Sequence, residues 1–355
     1  MRRGLALTLT VAMLGSLLAG CGSSGGGSAP KADATAAAAP AGGGTEEVTT
    51  PDKVLKFTDQ NAEDSPAGMW EQKFADLVKE YTKGHIEVEL YFNNTLCGYD
   101  IQPLQAGICD FIQYVPSSAG DLDSRLGAFD APYIYRDADH RLAVFDPFNS
   151  EPLKVINEAL KDDGVILLSS FNSGYRQITC NFPIRNLSDM KGAKIRVVPS
   201  DLYQQLFTAF GAAATPMAFS EVPTALITNV IDGQENPYSV IVSSALYEVQ
   251  KYCMETNHLP TNHGLWMNRN TYESLTPEQQ EAVLKAAYDA SAYMDKYILD
   301  KVEEYKKICE DNGMEIIDAE NGLDIDGFKA AAENVYDYFA EDWGDMPDLI
   351  RAVQP

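Results

Sequence analysis

The chain has 355 residues with 52 acidic against 27 basic side chains, a net charge of −25 that argues against a nucleic-acid partner. Four histidines and six cysteines carry no zinc signature: no cysteine pair has C-x-x-C spacing, and His258 and His263 flank Pro260 instead of forming an H-E-x-x-H helix. No cofactor or metal is expected, since the glycine-rich run Gly20 to Gly27 does not follow a strand and the acidic runs Glu303-Glu304 and Asp324 to Asp326 read as solvated faces.

Residues 1–20 read as an export signal: Arg2 and Arg3 precede an apolar run from Leu5 to Leu18, too short to span a bilayer comfortably. The run ends in Leu18-Ala19-Gly20-Cys21, small residues before a cleavage point and a thiol after it, so Cys21 is the expected site of lipid attachment. Residues 21–52 are Gly, Ala, Ser, Pro and Thr with almost no bulky apolar side chain and cannot bury enough surface to offset ordering entropy. They form a tether. The mature protein is therefore expected at the cell surface, lipid-anchored to the outer face of the cytoplasmic membrane, more plausibly under a Gram-positive wall than in a periplasm. Loss of Arg2 and Arg3 takes the net charge to −27.

The remaining chain of about 300 residues is long enough for two lobes or one large domain. It alternates strands and helices. Lys53 to Asp59 reads as a strand, Pro66 to Tyr81 as a helix with Met69, Trp70, Phe74, Leu77 and Val78 on one face, and Ile86 to Phe92 as a strand. Asp110 to Val115 follows as a strand, with helices near Asp137 to Phe145 and Glu151 to Leu160 and the apolar strand Val165 to Leu168. From Ser173 a second block begins, with strands at Arg176 to Thr179 and Lys194 to Val198 and helices near Asp201 to Phe210, Ser220 to Thr228 and Val242 to Tyr252.

Pro277 to Asp311 is predicted as one helix, with Thr276 as N-cap, Gln279 completing a capping box, Pro277 at the first helical position and Asn312-Gly313 as the stop. Its apolar stripe runs Val283, Ala287, Ala290, Met294, Tyr297, Val302, Tyr305, Ile308. At 1.5 Å per residue such a helix spans about 52 Å, more than one lobe, so it is expected to brace both. A coiled coil is the rival, disfavoured by Ala and Tyr along the seam.

Four runs carry the functional signal: Phe171-Asn172-Ser173-Gly174-Tyr175-Arg176-Gln177, Asn186 to Val197, Gly211 to Val222, and Ile231-Asp232-Gly233-Gln234-Glu235-Asn236-Pro237. Weaker echoes are Phe129 to Tyr133, Thr256-Asn257-His258 and Leu275 to Gln280. In these the chain resembles the solute-binding proteins of tripartite ATP-independent periplasmic (TRAP) transporters, the DctP family, from about Val54 to Asp342. The resemblance implies a two-lobe, Venus-flytrap α/β fold braced by the long helix. Lobe 1 would hold residues 54–173 with about 262–300, and lobe 2 residues 174–261 with about 301–345.

The resemblance also implies function: a small carboxylate, an organic acid or sugar acid, is captured between the lobes and passed to membrane permease subunits by a monomer that is not an enzyme. Arg196 would form the bidentate pair with the carboxylate, as its planar, permanently charged fork suits. Arg176 would be a second cationic contact and Asn236 an amide that donates to it. Phe219 would supply an apolar wall, and Asn61 and Tyr114 would come from the first lobe. Without that context, an arginine on a short strand is more often paired internally, and Asn236-Pro237 reads as turn chemistry. The acidic surface is no obstacle, because its field is screened over about 8 Å while a buried pair is not. A sensory protein of the same fold is the alternative.

Departures from the family's common pattern are Cys97, Pro223 and Ile227, which leave Arg196 untouched. His263 reads first as a loop residue, with a place facing the cleft as the alternative. Of the cysteines beyond Cys21, Cys97 and Cys109 are nearest for a disulfide, with isolated buried thiols at Cys97, Cys109, Cys180, Cys253 and Cys309 equally open.

Overall fold

The computed structural model describes residues 50–355. The export signal, Cys21 and the tether up to residue 49 lie outside the described residues. Among those described, no helix is long and apolar enough to cross a membrane.

The chain enters through β1 (Lys53–Thr58) and α1 (Pro66–Tyr81), where the Ser65 hydroxyl caps the helix by accepting from the Gly68 amide at 3.1 Å. Then come β2 (Ile86–Tyr91), α2 (Gln102–Gln105), β3 (Phe111–Tyr114), α3 (Ala138–Val144), α4 (Glu151–Ala159) and β4 (Val165–Asn172). The chain crosses to a second sheet through β5 (Gln177–Cys180), β6 (Lys194–Val197), α5 (Asp201–Ala209), β7 (Ala213–Pro216), α6 (Val222–Ile227), β8 (Gly233–Asn236), α7 (Tyr238–Ser243) and β9 (Tyr252–Met254). It returns with β10 (Asn262–Asn268), α8 (Arg269–Glu273) and α9 (Pro277–Asp311), and ends with β11 (Glu315–Ile317), α10 (Ile325–Tyr338), α11 (Ala340–Trp343) and α12 (Met346–Ala352).

Two sheets result, ordered β2-β1-β3-β10-β4 and β11-β9-β5-β8-β6-β7, each the centre of one lobe. In the first, β1 runs parallel to β2 and β3, while β10 is antiparallel to β3 and β4. In the second, β6 runs parallel to both β7 and β8. The carboxyl ends of parallel strands are where α/β sheets hold ligands.

Burial follows the predicted periodicities. Phe57, Trp70, Phe74, Phe111 and Phe171 form one aromatic core in which neighbouring rings lie 4.8–6.3 Å apart. Against it α9 lays Val283, Ala286, Ala287, Ala290 and Met294, whose small side chains let the helix run along α1 and β4. Further on, α9 meets α7 and β11, so it touches both lobes and the coiled-coil rival fails. The capping box at Thr276 and Gln279 is present.

Two expectations need correction, and one alternative left open is decided. No helix covers Val242 to Tyr252: α7 stops at Ser243, Ala245 takes a left-handed φ of 48°, and residues 252–254 are drawn into the sheet by pairing with β5 and β11. Tertiary strand pairing overrides the local apolar pattern there. The buried stripe of α9 passes through Ser291, Asp295, Ile298 and Cys309, with Ile308 only half-buried. All five described cysteines are free thiols, four of them buried, so Cys97 and Cys109 form no disulfide although they are neighbours.

Candidate functional site

The second-lobe edge is built from β6, β7 and β8. Along β6, Ile195 and Val197 enter the core, which turns Arg196 to the opposite face, where it is only 3 % exposed. Its Nε donates to the Met217 carbonyl just past β7 at 2.9 Å, and the Phe219 ring stands 5.6 Å from its guanidinium carbon. Both Nη groups lack a protein acceptor among the described residues, and Arg196 is in no ion pair. Burial, and secondarily Arg176, pull its pKa below the ordinary arginine value against the attraction of Glu235. Guanidinium nevertheless stays charged across physiological pH. A buried cation whose fork lacks an internal carboxylate suits an external one.

Arg176 has a different environment. Its Nε and Nη2 hold the Glu235 carboxylate, the latter at 2.9 Å, and Nη2 also donates to the Glu235 carbonyl and the Asn236 side-chain oxygen, both at 2.9 Å. The Tyr203 ring lies 5.3 Å from its guanidinium carbon. His258 adds a contact of 3.3 Å from Nε2 to Glu235 and is itself fixed by Thr256 at 2.8 Å. Burial alone would push Glu235 up, yet Arg176 and His258 outweigh it and hold the carboxyl below the usual range. Burial likewise disfavours a charged Arg176, and Glu235 and Tyr203 more than restore it. The fork of Arg176 is thus taken internally and only its Nη1 has no protein acceptor.

Asn236 closes β8 with its oxygen on Arg176 and its nitrogen on Gln234, leaving one amide hydrogen free. Arg196, Arg176, Asn236 and Phe219 therefore lie together on one edge. Asn61 and Tyr114 lie apart from them on the first-lobe edge: Asn61 donates to both oxygens of Asp59 at 2.9 and 3.0 Å, and Tyr114 packs on Tyr99 with ring centroids 4.8 Å apart.

Glu235, Tyr203 and His258 were not anticipated. Glu235 and His258 sit inside quoted runs, but their pairing joins β8 to the segment before β10 and has no local signature. His263, read as a loop residue, is in fact on β10, stacked on Phe171 at 4.6 Å and 14° and in contact with the Ser173 hydroxyl at 3.0 Å. Among the described residues there is no group of three or more His, Cys, Asp or Glu able to hold a metal ion. Asp324 serves as the N-cap of α10, accepting from Gly327 at 3.1 Å.

Two α/β lobes joined by crossing segments, with an unpaired buried arginine on one inner edge, define a two-lobed solute-binding protein. Residues 57–342 match the family described as bacterial extracellular solute-binding protein, family 7, or DctP, and the chain belongs to that family. It is 30% identical over 303 residues, 84% of this chain and 90% of the relative, to the 2,3-diketo-L-gulonate-binding periplasmic protein YiaO of Escherichia coli K12. Among solved structures it is similar to a TRAP periplasmic solute-binding protein of Rhodobacter sphaeroides in an apo, open, partially disordered form. That match has a TM-score of 0.78 and 29% identity, and covers 85% of this chain and 99% of that one. A Roseobacter denitrificans counterpart with bound L-galactonate gives a TM-score of 0.69 at 28% identity, covering 86% and 99%. Proteins of this family are binding proteins of transporters and not enzymes.

Proposed function

We propose that the protein captures a small carboxylate between its lobes and delivers it to a TRAP membrane permease, with Arg196 as the anchor of the carboxylate. The observation that carries this is the buried Arg196 fork, held by Met217 and Phe219 and met by no internal acid. Arg176 acts mainly through Asn236 and Glu235, contributing at most one direct hydrogen bond. The relatives named above bind a sugar-acid derivative and L-galactonate, in line with a carboxylate ligand.

The lobes, residues 54–173 with about 262–300 and 174–261 with about 301–345, would close about the crossings at 173–176 and 255–261, driven by tighter ligand binding to the closed state. Export and acylation at Cys21 complete the reading; they rest on the Leu18 to Cys21 sequence and the tether. Placement under a wall rests on the tether alone. Calorimetry against a carboxylate panel tests the anchor. Arg196→Ala should weaken binding by at least ~100-fold, since two charge-assisted bonds of roughly 1.5–3 kcal/mol each are lost. Retained affinity in that variant removes Arg196 from the site.

A further inference from the structure

The first-lobe edge bears on which carboxylate is taken, an inference that rests on the carboxylate reading of Arg196. Asp59 follows the last residue of β1, is 1 % exposed, and receives the Asn61 amide nitrogen on both of its oxygens. With both Asp59 oxygens accepting from the Asn61 nitrogen, the amide's orientation is set: nitrogen on Asp59, carbonyl oxygen without a protein donor. Asn61 thus offers an acceptor to a groove of about 340 Å³ between the lobes, whose second-lobe wall is α7, the helix following Asn236.

The remaining polar lining of that groove consists of hydroxyls, among them Ser65, Ser239 and Ser243, and His263, with no lysine, arginine or carboxylate. Nδ1 of the lining His263 has no protein partner, nor has either end of the buried Gln113 amide on the adjoining strand β3. The charges acting on Tyr114, and the carboxylate acting on Tyr99, are Asp100, Asp121 and Asp59, all negative. The arginines of residues 54–173 are committed elsewhere: Arg125 to Asp123, Arg136 to the Arg351 and Val353 carbonyls, and Arg141 to Asp295.

We infer that the ligand is a hydroxylated monocarboxylate whose acid group lies on Arg196 and whose far end donates hydrogen bonds to the first-lobe edge, and that dicarboxylates are selected against. One unpaired cation matches one carboxylate. A second carboxylate would meet the Asn61 oxygen with the Asp59 carboxylate behind it and no lysine or arginine in the groove lining to neutralise it, and such like-charge placement is a strong negative discriminator. Hydroxyl donors satisfy the same acceptor and are indifferent to the sign of the field.

The experiment compares, by calorimetry on the full mature chain, aldonates with the aldarates of the same sugars, gluconate against glucarate first, so that each pair differs only in a terminal hydroxymethyl or carboxylate. The aldonate should bind at least about tenfold more tightly, equivalent to 1.4 kcal/mol. Asp59→Asn frees the Asn61 amide to turn and removes a negative charge, and should narrow that ratio severalfold; Asn61→Leu, at a partly exposed position, gives the same readout if Asp59→Asn does not fold. Aldarates binding as tightly as aldonates, with both lost in Arg196→Ala, overturns the selectivity while leaving the carboxylate site intact. No binding by any acid overturns the carboxylate reading and this inference together.

Discussion

Glu71 is fully buried on α1 beside Asp59, with neither oxygen bonded to a conventional donor. Burial, and then the Asp59 carboxylate, push its carboxyl well above the usual range, so that it keeps a proton to donate to Asp59. A carboxyl whose pKa is raised by folding favours the folded state at low pH and costs stability as pH rises above the unfolded value near 4.5. Glu71→Gln imitates the protonated acid at every pH. Its stability relative to the parent should therefore grow as pH is raised from about 4.5, and level off above the folded pKa. Urea midpoints of both proteins measured from pH 4.5 to 8 check this, and a difference independent of pH contradicts it. At this scale sequence reading singled out Arg196, Asn236 and Phe219, which the fold brings to one edge, because each lies in a run with a recognisable pattern. It did not reach Glu235, His258 or Asp59, whose importance comes from partners 23 residues away, on another strand, or on a facing helix.

The long helix α9 was legible almost to the residue, because caps, Pro277 and Asn312-Gly313 are local signals. What it does in the fold was less legible. Asp295 interrupts its apolar stripe to accept from Arg141 at 2.7 Å and from the Asn172 amide at 2.7 Å, tying the helix to α3 and to the end of β4 where the chain crosses. Both partners of the ion pair are nearly without solvent, with side-chain exposures of 1% and 9%. Asp295→Ala leaves Arg141 buried and unpaired and should destabilise the fold by about 3–5 kcal/mol, read as a lower urea midpoint. Two residues beyond β4, Gly174 has φ +120°, and a Cβ there would lie 3.2 Å from that of Pro237. A side chain at that crossing would be strained as well as crowded. The helix expected at Val242 to Tyr252 failed for the converse reason: a short apolar stretch has no caps, and the sheet claimed its end.

For the whole molecule, two lobes that close on a ligand should show a smaller radius of gyration by small-angle scattering when a bound carboxylate is added. Arg196→Ala should keep the open dimensions under the same conditions, and an unchanged radius in the parent at saturating ligand contradicts hinge closure. The sequence by itself determined the alternation of strands and helices, the long brace, and the arginine-bearing strand, since periodicity, capping and short motifs act within a few residues of one another. Only the tertiary structure decided that Arg176 is neutralised by Glu235 while Arg196 is not, because which carboxylate reaches which guanidinium depends on strands adjacent in the sheet and remote in the chain. The same holds for the first-lobe edge, where Glu71 owes its raised pKa to burial and Asp59, and Asn61 owes its orientation to Asp59.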